Sequence, residues 1–205
     1  MDISIVLTFY NAENEVIPLL SGLSTIFDKK YIDYEIIAVN NNSIDNTGEV
    51  IKQFCNQHSK IKYLFVKEQG YGNAVRNGLA IARGKWIGWS DGDLQIKPLD
   101  IFRVVKHTLE TNAIFCKAER RIRYDGIVRF ILTHLYRIVI SMFLRKRVFD
   151  VNAKPKFIRR LLYSKFHLKS GGWFIDLEFI SQVLQFGLGG SRQYIYPFHD
   201  VMKFK

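Results

Sequence analysis

The chain has 205 residues, 48% of them apolar and 14% aromatic, which suits one well-packed domain and excludes a disordered chain. Its formal charge of +11 is concentrated: from Lys117 to Arg160 there are 13 Lys or Arg against Glu119, Asp125 and Asp150, and the remainder is close to neutral. A block of that kind predicts a polyanionic partner such as phosphate, anionic lipid or nucleic acid, a solvated basic face being the plain alternative.

In chain order, Ile3–Leu7 is a buried-strand run and Glu13–Ile26 carries apolar residues at helical spacing. Tyr34–Val39 reads as a second strand, followed by a helix from near Asp45 or Asn46. A third strand is expected at Ile61–Val66, a third helix at Tyr71–Ala82, and a fourth strand at Lys85–Trp89. A helix from Pro98 to about Leu109 and a strand at Ala113–Cys116 close this half. Alternating strands and helices predict an α/β fold, a mostly parallel central sheet flanked by helices. Further on, residues 125–146 are helical, with Arg129, Arg137 and Arg145 interrupting a dense apolar set. Residues 150–156 contain Pro155 and read as extended, Phe174–Phe186 as a helix, and Gln193–Tyr196 as a last strand, all continuing one domain. Cys55 and Cys116 lack CxxC spacing and read as buried free thiols in a reducing compartment. The start of the chain has no secretory signal pattern and no run of roughly 18 uncharged apolar residues occurs, so no membrane crossing is expected.

Ligands of open parallel sheets bind at the carboxyl ends of the strands. Three polar clusters fall there: Thr8-Phe9-Tyr10-Asn11, Asn40 to Asp45, and Asp91-Gly92-Asp93-Leu94-Gln95. Two carboxylates one residue apart repel each other, and a hard divalent cation with oxygen ligands relieves that repulsion. Such a cation also bridges a diphosphate and neutralises the charge growing on a leaving nucleotide. Taken alone, Asp-x-Asp is a common and weak signal, more often a pair of solvated turn carboxylates.

The order of YEIIAVNNNSIDNT (34–47), GYGNAVRNG (70–78), WIGWSDGDLQ (86–95), RRIR (120–123), DVNAKPKFIR (150–159) and WFIDLEF (173–179) resembles the family 2 glycosyltransferases of GT-A, or Rossmann-like, fold. Within them it is similar to the polyprenyl-phosphate sugar transferases related to dolichol-phosphate mannose synthase. The resemblance implies one GT-A domain over residues 1–205, with a nucleotide-sugar half at 1–117 and an acceptor half at 118–205. It implies Mn2+ or Mg2+ at Asp93, with Asp91 and Gln95 beside it, and Asp91, Asp93 and Asp150 as the catalytic set. Nucleotide-sugar contacts would come from Thr8, Tyr10, Glu13, Asn40, Asn41, Ser43, Asp45, Gly72, Asp91 and Gly92, with Gly70 also allowing close backbone approach. Relatives often carry paired Asp where Asn40 and Asn41 stand, and Pro and Glu where Thr8 and Ala12 stand.

For the acceptor, the resemblance implies a polyprenyl phosphate or other lipid-linked molecule at a membrane surface, on its cytoplasmic face. Arg120, Arg121 and Arg123 offer forked donors for a phosphate, and Arg129 and Arg137 lie on the next helix. That helix reads as interfacial, with snorkelling Arg, or as a core helix with solvated charges. Asp150 would orient the acceptor, act as base toward a hydroxyl, or pair with Arg159; Lys154 and Lys156 add phosphate contacts. A single late His, His199, reads as an extra metal ligand or as structural. Trp86, Trp89 and Trp173 read as core. A hydroxyl acceptor, a catalytically silent nucleotide-sugar binder and a nucleic-acid-binding module are the rival functions; the last gives no reason for Asp91 and Asp93, and no nucleic-acid partner is expected.

Overall fold

A computed structural model of the chain describes residues 1–120, 150–187 and 193–198. Strand β1 (Ile3–Phe9) and strand β2 (Tyr34–Asn40) are apolar almost throughout and buried on both faces, as central strands of a covered parallel sheet must be. Between them helix α1 (Glu13–Lys29) buries Val16, Leu19, Leu20, Leu23 and Phe27, one stripe at three-to-four spacing, and opens with Glu13 and Glu15 at its positive end. Then follow α2 (Thr47–Asn56), β3 (Ile61–Phe65), α3 (Tyr71–Ile81) and β4 (Trp86–Asp91). Helix α4 (Pro98–Thr111) starts on Pro98, whose missing N–H is not needed in a first turn, and stops at Asn112 in the left-handed conformation. Strand β5 (Phe115–Arg120), β6 (Lys156–Arg159), the short α5 (Arg160–Tyr163), α6 (Ile175–Gln185) and β7 (Gln193–Phe198) complete the described elements.

Among the described residues the sheet has seven strands in the order β3-β2-β1-β4-β6-β5-β7. Every pairing is parallel except those of β6, which runs antiparallel to β4 and β5. The expected α/β fold with a mostly parallel sheet is the one observed. The chain winds outward from β1 to β3, then returns to β1's other side as β4. That reversal opens a crevice between the carboxyl ends of β1 and β4, where Thr8 pairs in register with Asp91. On one face of the sheet Ile3, Ile5, Leu7 and Phe9 pack with the buried stripe of α1 and with α4; on the other Val6 packs with α3 and α6.

Several expectations are corrected. Strand β4 continues past Trp89 to Asp91, β5 starts later than Ala113 and runs on through Lys117, and the last strand passes Tyr196 and includes Pro197, a residue tolerated on the edge strand that β7 forms. The extended segment around Pro155 is a turn followed by a separate antiparallel strand, β6, inserted into the sheet. Its neighbour must be a glycine: a Cβ on Gly88 would stand 2.0 Å from the Lys156 carbonyl oxygen. Trp86 and Trp89 are core, but Trp173 is 74% exposed. The helix expected over 125–146 lies outside the described residues. Cys55 and Cys116 are free thiols that burial pushes up to about 11, which leaves them poor nucleophiles.

Candidate active site

The crevice has two rims of different construction. One is the meeting of the β1–α1 and β2–α2 loops, stitched by hydrogen bonds between side chains and backbone. The Asn11 N–H donates to Ser43 Oγ (3.1 Å), Asn11 Oδ1 accepts from the Ile44 N–H (3.0 Å), and the Ala12 N–H donates to Thr47 Oγ1 (2.8 Å). Asp45 accepts from the Thr47 N–H and hydroxyl with one oxygen and from the Glu13 N–H with the other, while Glu13 Oε2 accepts from the Asn46 N–H. Desolvation opposes ionisation of Asp45, but these donors hold its carboxyl below the ordinary value. A single Asp thereby satisfies N–H groups at the first turns of both α1 and α2. Asn11 and Asn42 take φ of +48° and +59°, which Asn adopts more readily than other non-glycine residues.

Asn40 and Asn41 are buried and their amide oxygens are engaged inside the protein. Asn40 Oδ1 accepts from the Ser43 N–H, and Asn41 Oδ1 accepts from the Gly70 N–H (2.9 Å), tying the second loop to the start of α3. A cleft of about 410 Å³ opens beside Asn40, Asp45, Tyr63 and Phe65. Tyr10, the residue after β1, is 45% exposed.

The other rim is built from charge. Both oxygens of Asp91 lie 3.0–3.1 Å from Lys154 Nζ, which also reaches Asp176 at 3.6 Å; Asp176 in turn holds Lys156 Nζ at 2.6 Å. Lys156 is fully buried in the sheet, and burial pulls its ammonium pKa down against the opposing pull of Asp176. Tyr71 stacks on Trp173 (centroids 4.8 Å apart), and Lys154 Nζ sits 4.1 Å from the Tyr71 ring centre and 5.7 Å from that of Trp173. Burial, then Asp91 and Asp176, push the Tyr71 phenol well above its ordinary value, so it remains an O–H. That hydroxyl, the Trp89 indole N–H and Ser90 Oγ are buried without a hydrogen-bond partner among the described residues.

Asp93 projects into solvent beyond this group. Leu94 takes φ +55°, a conformation costing a non-glycine residue ~1–2 kcal/mol, and turns the chain so that the Gln95 N–H meets Asp93 Oδ1 at 3.1 Å. Crowding by protein on its inner side, and then the Asp91 charge, raise the Asp93 carboxyl above its ordinary value although its tip is exposed. The donor set is therefore two hard carboxylates, one exposed, which fits a divalent cation completed by phosphate oxygens. Among the described residues no group of three or more His, Cys, Asp or Glu stands poised around a metal.

Of the residues expected from sequence, Thr8, Tyr10, Asn40, Asn41, Ser43, Asp45, Asp91, Gly92 and Asp93 are brought to the ends of three adjacent strands. Gln95 enters through its backbone. Gly72 has a packing role: a Cβ there would stand 2.3 Å from the Ser170 carbonyl oxygen, and one on Gly70 2.4 Å from that of Gly171. Asp150, at φ +42°, offers its carbonyl oxygen to Lys117 Nζ, whereas Arg159 covers the Trp86 ring and bonds Asn112 instead of Asp150. Arg120 ends β5; Arg121, Arg123, Arg129, Arg137 and His199 lie outside the described residues. Sequence reasoning missed Tyr71 and Asp176. The usable signal was Asp176 itself, an acid on the buried stripe Ile175, Phe179, Ile180, Val183 of α6.

The fold and site define an α/β protein with acid groups at a topological switch point. The sequence profile of Glycosyl transferase family 2 matches residues 4–174, and the chain belongs to that family. Its fold is the GT-A fold. The chain is 24% identical over 206 residues to the dolichyl-phosphate beta-glucosyltransferase of Mus musculus, covering 89% of this chain and 64% of that protein. It spans 32% to 64% of the length of the first curated relatives it matches. Mannosyl-3-phosphoglycerate synthase from Rubrobacter xylanophilus superimposes with a TM-score of 0.77 at 19% identity, over 97% of this chain and 66% of that one. Glucosyl-3-phosphoglycerate synthase from Mycobacterium tuberculosis, crystallised with Mn2+, UDP-glucose and phosphoglyceric acid, gives 0.72 at 19% identity over 96% and 69%.

Proposed function

We propose that this glycosyltransferase moves one sugar from a nucleotide-diphosphate-sugar to a polyprenyl phosphate at the surface of a membrane. The observation that carries the reading is the convergence of Tyr10, the Asn40–Asp45 loop and Asp91-Gly92-Asp93 on one crevice, together with a relative of lipid-phosphate specificity aligned along 89% of the chain. The exposed Tyr10 ring offers a stacking face to the base. Asn40, Asn41 and Ser43 bound that end of the crevice, and Gly92, held by its N–H to the Thr8 carbonyl, keeps the floor open. Held by Asp93, with Asp91 and Gln95 beside it, Mn2+ or Mg2+ would neutralise charge on the departing nucleoside diphosphate.

A lipid phosphate is already ionised at neutral pH, so the acceptor needs orientation and screening more than a general base. Arg120, Arg121, Arg123, Arg129 and Arg137 supply forked cationic donors for that phosphate, and Asp150 orients it. In one inverting displacement a phosphate oxygen bonds to the anomeric carbon as the bond from that carbon to the diphosphate oxygen breaks. No helix among the described residues is long and apolar enough to cross a membrane, and the basic segment supplies attachment to the anionic cytoplasmic leaflet.

The test is transfer from UDP-, GDP-, CDP- and dTDP-sugars, with and without Mn2+, to undecaprenyl phosphate and to glycan hydroxyls. A sugar-phosphate-lipid product is expected. Transfer to hydroxyl acceptors alone rejects the lipid-phosphate reading.

A further inference from the structure

We propose that Lys154 is the resident counter-cation of Asp91, so that a divalent ion here is held by Asp93 and the donor's own phosphates and gains Asp91 only when the ammonium is displaced. The inference rests on the donor-site reading above and concerns how the Asp-x-Asp pair divides its labour. Both Asp91 oxygens are within 3.1 Å of Lys154 Nζ, an ion pair whose lysine side chain is only 6% exposed. The ammonium is fixed from three further directions: by the Tyr71 ring at 4.1 Å, by the Trp173 ring at 5.7 Å and by Asp176 at 3.6 Å. Asp176 does not need Lys154 for neutrality, because Lys156 already holds it at 2.6 Å. The charges therefore match one to one, Lys156 with Asp176 and Lys154 with Asp91. Asp93 forms no ion pair among the described residues, feels Lys154 only at longer range, and is the exposed one. An ammonium and a metal ion cannot share the same two oxygens at bonding distance, since their like charges repel. The buried Tyr71 hydroxyl already lies under the influence of Asp91 and is a donor that can hold that carboxylate when Lys154 moves.

The experiment titrates Mn2+ into the full chain without nucleotide or acceptor, following the free-ion signal by electron paramagnetic resonance. Lys154→Met removes the charge and keeps the stem; Lys154→Arg keeps the charge. Lys154→Met should bind Mn2+ at least about tenfold tighter than wild type (~1.4 kcal/mol) and Lys154→Arg within about twofold of it. Asp91→Asn serves even if Lys154→Met fails to fold: it should leave Mn2+ affinity within about twofold, whereas Asp93→Asn lowers it by about tenfold or more. Equal losses from Asp91→Asn and Asp93→Asn, or a folded Lys154→Met that binds no tighter, overturn the role of Lys154. No Mn2+ binding to any form, with UDP or GDP also present, overturns the donor-site reading and this inference with it.

Discussion

The two rims of the crevice answer the same problem, holding polar loops still at the ends of buried strands, by different physics. On the β1–β2 side the loops are joined by hydrogen bonds between residues some thirty positions apart, such as Ala12 to Thr47 and Asn11 to Ser43. Each is short-ranged and local in its consequence. On the β4–β6 side the work falls to the alternating charges Asp91, Lys154, Asp176 and Lys156, three of them buried. A hydrogen-bonded rim is fixed once formed. A charged rim stays responsive, because a new ion or phosphate redistributes its pairing.

The contrast is most sharply broken at the charged rim. Asp176→Asn leaves Lys156 buried without a counter-ion and should lower unfolding free energy by about 3–5 kcal/mol, measured by denaturant titration. A loss below ~1 kcal/mol would show that water reaches Lys156 and that the ladder is not structural. Next, Asp93→Ala should reduce kcat/KM for sugar transfer by about 100-fold or more while leaving the thermal midpoint in place, since Asp93 is exposed. Unchanged Mn2+-dependent turnover in this variant would remove the basis of the donor site.

On the hydrogen-bonded rim the effects are smaller. Asp45→Ala removes acceptors from the first turns of α1 and α2 and should cost ~1–2 kcal/mol, raising the donor KM more than it lowers kcat. Smallest is a pH effect at the far end of the sheet. Burial disfavours ionised Glu35, but Lys62, Ser4 and the Arg83 N–H outweigh it and hold its carboxyl below the ordinary value. A depressed folded value means that the stabilisation is full at neutral pH and is lost as pH falls through that lowered value. Glu35→Gln should flatten the acid limb of the stability curve; an unchanged acid slope would contradict the assignment.

Sequence alone determined the alternation of strands and helices, the acid pair after β4 and the polar clusters after β1 and β2, because hydrophobic period and strand-end polarity are local properties. Their meeting at one crevice also followed, since a right-handed parallel sheet gathers its carboxyl ends on one edge. Tertiary structure alone decided what compensates each charge. β6 was illegible because Lys156 looks like a surface residue until Asp176, twenty positions on, neutralises it inside the core. Trp173 reads as core, yet its ring lies exposed over the buried Tyr71. Ion pairing and ring stacking join positions remote in sequence and leave no period behind, so only the folded chain reveals them.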